Sequence, residues 1–380
     1  MRILIAGGGS GGHILPALAV VRSLRERRAD VEPTWVGGHR GLEASLVPPS
    51  GIPLERLWLR SLRTVDRSVN SILDPIRLLL SVPQAIWLLG RRRPRAVYST
   101  GGYVAIPILV AARLLGIPSL LWEGNLVAGR SVRAVARLAS AIAVSYTPTA
   151  AELPGRPYLT GTPVRSFAGL TQGTSRLRLG LPVGGHVLLV FGGSQAVRRL
   201  DDALAAVLPE LVRMTTVIHV TGDAGYADGL RHREALPPEL RERYRPVPFL
   251  RNEMADALVA ADLILGRAGS STLAEATTLG RPLIVVPYPH AGGHQRANAV
   301  ALERAGAAIV IEDADFDGPA LLAATAVLDD AEHLAAMSAA SRQAGHPGAA
   351  DANAALLLAL AEREALPSHE TLTSIVEARP

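Results

Sequence analysis

The sequence predicts an α/β protein made of two Rossmann-like, doubly wound parallel-sheet domains that face an interdomain cleft. Strand-like apolar runs alternate with amphipathic helical runs, which is typical of β-α-β units and therefore of parallel strands covered by helices. The alternation starts twice, at residues 2–6 and with "HVLLVFGGSQ" at 186–195, and both first strands run directly into a glycine turn. A chain of 380 residues also exceeds what one hydrophobic core usually serves. Because such sheets bind ligands at the carboxyl ends of their strands, the cleft is the predicted active site.

Two series of strands define the predicted domains. The first series is predicted at 2–6, 34–36, 96–99, 119–122 and 141–145, with a helix from about residue 14, and the second at 186–195, 216–220, 262–265, 282–286 and 307–311. The stretch between them, 161–185, is rich in Gly, Pro and Thr without a clear period, which indicates a junction. The predicted domains are 1–163 and 164–346, followed by a C-terminal helix over 347–365 that packs back on the N-terminal domain and a flexible tail over 366–380.

The composition excludes several kinds of site. The chain has no cysteine, which excludes disulfides, thiolate metal sites and cysteine nucleophiles. It also has no lysine, which excludes a Walker-type phosphate loop and a Schiff base. The formal net charge of +5 favours an anionic partner, and the 4% aromatic content favours phosphate or lipid over stacked nucleic-acid bases. Neither a signal peptide nor a membrane-spanning segment is predicted, so the protein is expected to be soluble or peripheral.

The first glycine turn, "GGGSGGHILPALAV" at 7–20, leaves several interpretations open. Gly7, Gly9 and Gly12 satisfy the G-x-G-x-x-G pattern of dinucleotide sites, but such sites also need an acidic residue at the end of the second strand, where this chain has 37–40, "GGHR". The glycines could alternatively serve only a tight strand-to-helix turn. His13 stands where the helix begins, and a structural and a functional role for it are equally supported by its position.

The second half carries more specific signals. "GGSQ" at 192–195 and "GRAGSSTLAE" at 266–275 each follow a strand and open a helix, so two sets of free helix amides are available for a diphosphate. Ser271 and Glu275 are four residues apart, hence on one helix face, where the carboxylate could accept both hydroxyls of a ribose.

The loop that follows, "PYPHAGGHQRANA" at 287–299, is rich in donors and acceptors that suit sugar hydroxyls. His290 and His294 could instead begin a metal site, but no third ligand is evident. Two D-x-D triplets within 313–317 precede a helical run and are predicted to form a helix cap and turn. No metal site is predicted, and catalysis is expected without a metal or cofactor.

Six segments together resemble the MurG family of peptidoglycan glycosyltransferases. In chain order they are "GGGSGGH", "STGGYVAIP", "GTPVR", "GGSQ", "GRAGSSTLAE" and "PYPHAGGHQRANA", and the similarity covers roughly residues 1–363. The resemblance implies a GT-B fold and an inverting enzyme that moves N-acetylglucosamine from UDP-N-acetylglucosamine to the C4 hydroxyl of N-acetylmuramic acid in lipid I, an undecaprenyl-diphosphate-linked muramyl-peptide, giving lipid II. It also implies a C-terminal donor domain and an N-terminal acceptor domain.

The resemblance implies site residues position by position. His13 matches the base for the acceptor hydroxyl, and an imidazole suits that role because its ordinary pKa lies near working pH. The implied catalytic residues are His13 and Glu123. The implied donor-binding residues are Ser10, Gly11, Gly12, Asn125, Arg165, Ser194, Gln195, Leu250, Ser270, Ser271, Glu275, Gln295 and Asn298. The implied acceptor-binding residues are Gly12, His13, Gly101, Gly102 and Tyr103.

Two segments depart from the family pattern. The family commonly has His-Glu-Gln-Asn where this chain has Trp122-Glu123-Gly124-Asn125, and Gly-Ala where this chain has Ala196-Val197. The contributions of the missing His and Gln are therefore not expected here. The first departure keeps open a related GT-B glycolipid or natural-product glycosyltransferase. A UDP-N-acetylglucosamine 2-epimerase, which shares the tandem architecture, and a nucleotide-sugar sensor without catalysis are further alternatives.

An apolar and basic segment, "ILDPIRLLLSVPQAIWLLGRRRPR" at 72–95, is predicted to attach the protein to an anionic membrane. Exposure of Leu79, Trp87 and Leu88 would support this, whereas a purely structural covering helix would bury them. The resemblance places the protein peripherally on the cytoplasmic face of the cell membrane, with cell-wall and division proteins as further partners and no nucleic acid.

Overall fold

The computed structural model describes residues 1–39, 41–59, 70–192, 198–250, 253–289 and 293–378. The chain divides into two compact units, Met1–Arg165 with His346–Pro380 and Ser166–Gly345, here called unit 1 and unit 2. The predicted α/β class with two parallel-sheet domains is confirmed.

Unit 1 is built on a seven-stranded parallel sheet. Its strands are Arg2–Ala6 (β1), Glu32–Gly37 (β2), Leu54–Arg56 (β3), Ala96–Ser99 (β4), Ser119–Glu123 (β5), Ala141–Val144 (β6) and Tyr158–Leu159 (β7). The order is β3-β2-β1-β4-β5-β6-β7, and Ile5 of β1 lies opposite Trp35 on one side and Tyr98 on the other. Strands β2 and β3 thus lie on one side of β1, and β4 to β7 lie on the other. This reversal of strand order creates a topological switch point at the carboxyl ends of β1 and β4.

Helices cover both faces of this sheet. The first six are Gly11–Arg27 (α1), Glu43–Leu46 (α2), Asn70–Arg92 (α3), Ala105–Leu114 (α4), Arg130–Val135 (α5) and Thr147–Glu152 (α6), with 3-10 turns at Pro48–Ser50 and Ala136–Leu138. The strands alternate side chains between two cores, so that Ile3 and Ile5 pack on the α1 side and Leu4 and Ala6 on the α3 side.

Unit 2 repeats the design with a six-stranded parallel sheet. Its strands are Val187–Phe191 (β8), Thr216–Val220 (β9), Tyr244–Val247 (β10), Leu263–Gly266 (β11), Leu283–Val285 (β12) and Ala308–Val310 (β13), in the order β10-β9-β8-β11-β12-β13. Its helices are Gln172–Arg178 (α7), Arg198–Ala206 (α8), Leu208–Met214 (α9), Gly222–Ala235 (α10), Met254–Ala260 (α11), Ser270–Leu279 (α12), His294–Arg304 (α13), Gly318–Thr325 (α14) and Ala331–Gln343 (α15), with 3-10 turns at Pro238–Arg243, Asp313–Asp315 and Ala326–Asp329.

The chain returns to unit 1 through two final helices, Ala349–Glu362 (α16) and His369–Glu377 (α17). Helix α16 packs on α1, and its buried Asn353 donates to Thr160 Oγ1 (3.0 Å) while accepting from the Tyr98 hydroxyl (3.3 Å). The prediction of a flexible tail is wrong for 369–377, because Leu372 and Val376 of α17 are buried in the core that α1 and α16 share.

Three strands of the described structure were not predicted from the sequence. β3 and β7 have only three and two residues, too few for a periodic signal, and both lie at sheet edges. β10 reads "YRPV" and is also an edge strand, where its proline and arginine are tolerated because one side needs no partner strand.

Candidate active site

The first glycine turn joins β1 to α1 in unit 1. The buried Trp35 Nε1 donates to the Gly7 carbonyl (2.7 Å), and Gly9 takes a φ of +93°, which favours glycine. Ser10 is the N-cap residue of α1, and its side chain makes no capping hydrogen bond within the described part of the chain. Helix α1 therefore begins at Gly11 and Gly12, whose amides have no acceptor earlier in the helix and can receive a ligand oxygen.

His13 lies in the first turn of α1 and is held by Thr100, which follows β4. Its Nδ1 lies 2.6 Å from the Thr100 carbonyl oxygen, and the Thr100 hydroxyl donates to the His13 carbonyl (2.9 Å). Because a carbonyl oxygen only accepts, Nδ1 must carry the hydrogen and Nε2 is left as the accepting nitrogen. That tautomer can take a proton at Nε2, which is what a general base requires.

The segment after Thr100 passes close to the His13 ring. Gly101 and Gly102 have φ values of +83° and +72°, and a Cβ at Gly102 would lie 3.7 Å from His13 Nε2. The positive φ values favour glycine at both positions. Tyr103 was predicted to contact the acceptor, but its ring is buried and its hydroxyl donates to Glu43 (3.3 Å). Burial and the neighbouring Glu43 raise the pKa of Tyr103, so it stays a neutral donor.

Glu123 ends β5 and binds the loop that follows it. Its Oε1 accepts from the amide of Asn125 (2.9 Å) and from that residue's Nδ2 (2.9 Å), and its Oε2 accepts from the Gly129 amide (2.8 Å). The side chain is buried, and both oxygens are engaged. These hydrogen bonds position the loop that carries Asn125, and the catalytic role expected for Glu123 from the sequence stays a prediction.

Trp122 and Gly124, which both depart from the family pattern, are sterically matched to each other. Trp122 is buried at the end of β5, and its Nε1 donates to the Gly161 carbonyl (3.0 Å). A Cβ built on Gly124 would lie 2.8 Å from Trp122 Cζ2 and closer still to Cη2. The indole thus fills the space that a side chain at 124 would need, so the two changes from the family pattern belong together.

Replacing Gly124 with alanine is expected to lower the free energy of unfolding by about 1–3 kcal/mol, the usual cost of overpacking. Urea denaturation of the full chain measures the effect. Gly173→Ala is the matched control, because a Cβ there meets nothing within 4 Å and the backbone is helical. The pairing predicts that Trp122→Phe relieves part of the defect of Gly124→Ala, and strictly additive losses would contradict it.

Three of the donor residues predicted in unit 2 lie on α12. Ser270 and Ser271 begin the helix after β11, and the buried Ser271 Oγ has no hydrogen-bond partner among the residues that the structure describes. Glu275 lies one turn further along and is only 5% exposed. The amides at the start of α12 and the Ser271 hydroxyl suit a diphosphate. The buried Glu275 carboxylate on the same helix face suits the diol of an adjacent ribose.

The remaining donor residues lie in segments near the carboxyl ends of strands. Gln295 accepts from the Tyr288 amide through Oε1 (2.9 Å), so its amide nitrogen is oriented by the loop after β12. Asn298 is fully buried on α13 and donates to the Ala268 carbonyl (3.4 Å). Leu250 follows β10 and is half-buried, as is Arg165, the last residue of unit 1 before the chain enters unit 2. Ser194, Gln195 and His290 lie outside the described residues.

Arg267, in the segment before α12, organises this end of unit 2. It is buried, donates to Asp313 (2.5 Å) and to the Val286 carbonyl (3.2 Å), and lies 5.6 Å from the centroid of the Tyr288 ring. Asp313 is therefore an ion-pair partner, and Asp317 caps α14 by accepting from the Ala320 amide, which confirms the predicted cap and turn. Over the described ranges, no group of three His, Asp or Glu side chains could hold a metal ion.

Comparison with known families decides the relationship. The N-terminal domain model of glycosyltransferase family 28 matches residues 3–144, and the C-terminal domain model matches residues 187–352. The chain belongs to glycosyltransferase family 28. The N-terminal model thus lies within unit 1, and the C-terminal model covers most of unit 2 and the first residues that return to unit 1. The enzyme class predicted from the sequence, a glycosyltransferase, is confirmed.

Individual members of family 28 are similar over nearly the whole chain. A Desulforudis audaxviator protein named UDP-N-acetylglucosamine–N-acetylmuramyl-(pentapeptide) pyrophosphoryl-undecaprenol N-acetylglucosamine transferase is 39% identical over 360 residues, covering 92% of this chain and 96% of that protein. A Moorella thermoacetica protein of the same name is 37% identical, covering 95% and 100%. The crystal structure of Acinetobacter baumannii MurG superposes with a TM-score of 0.73 at 28% identity and covers 94% and 99%. The MurG resemblance and the GT-B class are thereby confirmed.

Sequence reasoning missed the residues that hold the site together. Thr100, Glu43 and Arg267 make the hydrogen bonds that fix His13, the first glycine turn and the α12 segment. Thr100 and Arg267 stand inside segments that the sequence singled out, so the signal was their adjacency to a strand end. Glu43 lies outside every such segment, and its role follows only from the fold.

Proposed function

We propose that this protein transfers N-acetylglucosamine from UDP-N-acetylglucosamine to the C4 hydroxyl of N-acetylmuramic acid in lipid I, with inversion at the anomeric carbon, to give lipid II. The observation that carries the proposal is the 39% identity over 92% of the chain to a protein named for that transfer. The tautomer of His13 set by Thr100 supports it, because the reaction needs a base for a sugar hydroxyl.

The acceptor is assigned to unit 1. In the proposed step the C4 oxygen of the acceptor attacks the anomeric carbon of the donor sugar, and His13 Nε2 takes the hydroxyl proton. The bond between the anomeric carbon and the diphosphate oxygen breaks, and its electron pair leaves with UDP. The hydrogen bond from Nδ1 to the Thr100 carbonyl stabilises the imidazolium that forms, because it holds the ring while Nε2 is protonated.

We assign the donor mainly to unit 2, and the donor contacts expected for Ser10, Gly11, Gly12 and Asn125 in unit 1 stay predictions. The α12 amides and the Ser271 hydroxyl would bind the diphosphate, and Glu275 would accept the ribose hydroxyls. Negative charge grows on the leaving UDP during the step, and a helix N-terminus stabilises it without reorganising. We assign Gln295 and Asn298 to the hydroxyls and acetamido group of the donor sugar, and Arg165 to the diphosphate.

The transfer is tested with purified full-length protein, radiolabelled UDP-N-acetylglucosamine and a panel of polyprenyl-diphosphate sugars. We expect label in a lipid-linked disaccharide, and UDP release, only with the muramyl-peptide acceptor. Label transferred to another glycolipid or to a natural-product aglycone would identify the related glycosyltransferases instead. UDP release without any acceptor, accompanied by epimerised sugar, would identify a 2-epimerase, and binding without turnover would identify a sensor.

Membrane attachment through α3 belongs to the same proposal. Leu79 and Trp87 are 73% and 60% exposed, and Ile76 and Leu80 are exposed at helical spacing on the same face. The Arg91 guanidinium lies 5.3 Å from the centroid of the Trp87 ring. Leu88, whose exposure would also have supported attachment, is 4% exposed and packs in the core on the α4 side.

An apolar face ending in arginines suits the headgroup region of an anionic bilayer. Within the described ranges, the structure contains no helix with the length and hydropathy that a bilayer crossing requires. From the exposed apolar face of α3 we propose a peripheral protein that lies against the cytoplasmic face of the cell membrane, where lipid I is presented. Contacts with cell-wall and division proteins are part of the same proposal.

The double variant Leu79→Glu/Trp87→Glu is expected to lower partitioning onto phosphatidylglycerol vesicles by roughly tenfold, because it removes apolar contact and adds repelling charge. Co-sedimentation measures this, and activity on a detergent-dispersed acceptor should stay unchanged. Leu177→Glu is the control, because Leu177 is equally exposed but lies in unit 2. Equal vesicle binding by wild type and double variant would exclude α3 as the attachment surface.

A further inference from the structure

A buried carboxylate lies behind the first glycine turn. Glu43 begins the short helix α2, just beyond β2, and its side chain is 1% exposed. Its Oε2 accepts from the Gly9 amide (3.0 Å), and its Oε1 accepts from the Gly38 amide (2.9 Å) and the Tyr103 hydroxyl (3.3 Å). One side chain thus binds three separate segments of unit 1.

These three segments follow neighbouring strands at the switch point of the sheet. Gly9 follows β1, Gly38 follows β2 and Tyr103 follows β4, and the sheet order places β1 between the other two. The carboxyl ends of such strands are where doubly wound sheets bind their ligands. Glu43 therefore connects the loops that surround the proposed acceptor site.

Glycines make room for this carboxylate. A Cβ on Gly8 would lie 2.9 Å from Glu43 Oε1, one on Gly37 would lie 2.7 Å from its Cγ, and one on Gly41 would come closer still to its Oε2. Burying a carboxylate is unfavourable unless hydrogen bonds replace the lost water. The glycines and donors together form a pocket in the protein for its own side chain, which explains part of the glycine-rich sequence without any ligand.

The carboxylate also decides what the turn can bind. The Gly9 amide is occupied by Glu43, and a negative charge directly behind it disfavours a phosphate at residues 7–9. The amides of Gly11 and Gly12 at the start of α1 remain for the ligand. Since Gly9 precedes His13 by four residues, the hydrogen bond from its amide fixes the chain that leads into the proposed base.

We propose that Glu43 is a positioning residue for the transfer: by binding the segments after β1, β2 and β4, it sets the position of His13 and the first α1 amides relative to the acceptor. This inference rests on the proposed function. Glu43 touches neither substrate in this account and acts through Gly9, Gly38 and Tyr103. Its removal should therefore affect the acceptor step and leave donor binding in unit 2 intact.

Glu43→Gln tests the proposal with little change in side-chain size, since the amide NH2 must then face a donor. We expect kcat/KM for the acceptor to fall roughly 10- to 100-fold, the usual cost of a misplaced reacting group, with KM for UDP-N-acetylglucosamine unchanged. Glu26→Gln is the matched control, because Glu26 is exposed on α1 and pairs only with Arg22 in the described structure. Unchanged acceptor kinetics, or equal losses for donor and acceptor that follow a lowered melting temperature, would overturn the proposal.

Hydrogen exchange gives a readout that needs no turnover. Glu43→Gln should speed amide exchange in the peptide covering residues 7–12, whereas Glu26→Gln should not. Tyr103→Phe removes one of the three donors and should speed the same exchange by about fivefold, which keeps the test available if Glu43→Gln does not fold. An unchanged exchange rate in both variants would overturn the positioning role, whereas absence of turnover in the wild type would overturn only the proposed function.

Discussion

Replacing His13 with alanine is expected to lower kcat by about 10²- to 10⁴-fold, the range that general-base catalysis usually contributes. The reason is the geometry at the start of α1, where the Thr100 carbonyl holds Nδ1 and leaves Nε2 to accept the acceptor's proton. Because the donor is assigned to unit 2, KM for UDP-N-acetylglucosamine should change little. Steady-state kinetics with a soluble lipid I analogue measures both constants.

The matched control is His333→Ala, since His333 is exposed on α15 in unit 2 and only its backbone amide takes part in capping that helix. His333→Ala should keep wild-type kinetics. His13→Gln is a second test, because glutamine keeps polar contacts but cannot take a proton at neutral pH. Turnover within a few-fold of wild type in either His13 variant would exclude His13 as the base.

Replacing Glu275 with glutamine is expected to raise KM for UDP-N-acetylglucosamine by roughly 10- to 100-fold, because hydrogen bonds to a charged acceptor contribute about 1.5–3 kcal/mol each. The side chain is buried on α12 next to Ser271, so water does not readily replace the lost interaction. The acceptor KM should stay unchanged. Isothermal titration with UDP measures the same loss without turnover.

A modified donor gives a second test of the assignment of Glu275 to the ribose. A 2′-deoxyribose analogue of the donor should bind wild-type protein more weakly, but it should bind Glu275→Gln no worse than the natural donor does. Glu303→Gln, an exposed glutamate on α13, should behave like wild type with both donors. Full discrimination by Glu275→Gln between the two donors would show that another group reads the ribose.

The fold class could be predicted from the sequence because the periodicity of apolar residues shows which faces of helices and strands are buried. The strands near the centre of each sheet, such as β1, β5 and β11, are mostly apolar, and their bounds were predicted to within one residue. The tail 369–377 was missed because an amphipathic helix of nine residues in a polar context carries a weak signal. Its burial depends on its contact with α16, the helix that precedes it in the chain.

The candidate site was predicted as a set of segments, and its internal connections were not. His13 and Glu275 could be chosen because they follow a strand and open a helix. Glu43 could not, because nothing in "GLEAS" shows that its carboxylate turns inward to Gly9 across 34 residues of sequence. Likewise the exposure of Trp87 and the burial of Leu88 depend on how α3 meets α4, which one hydropathy profile does not resolve.

A structure determined after soaking crystals with UDP tests the central claim most directly, that unit 2 holds the nucleotide and unit 1 the acceptor. We predict density for the diphosphate at the amides that open α12 and for the ribose hydroxyls at Glu275. Density for UDP at Gly11, Gly12 and His13 of unit 1, with α12 empty, would contradict the account.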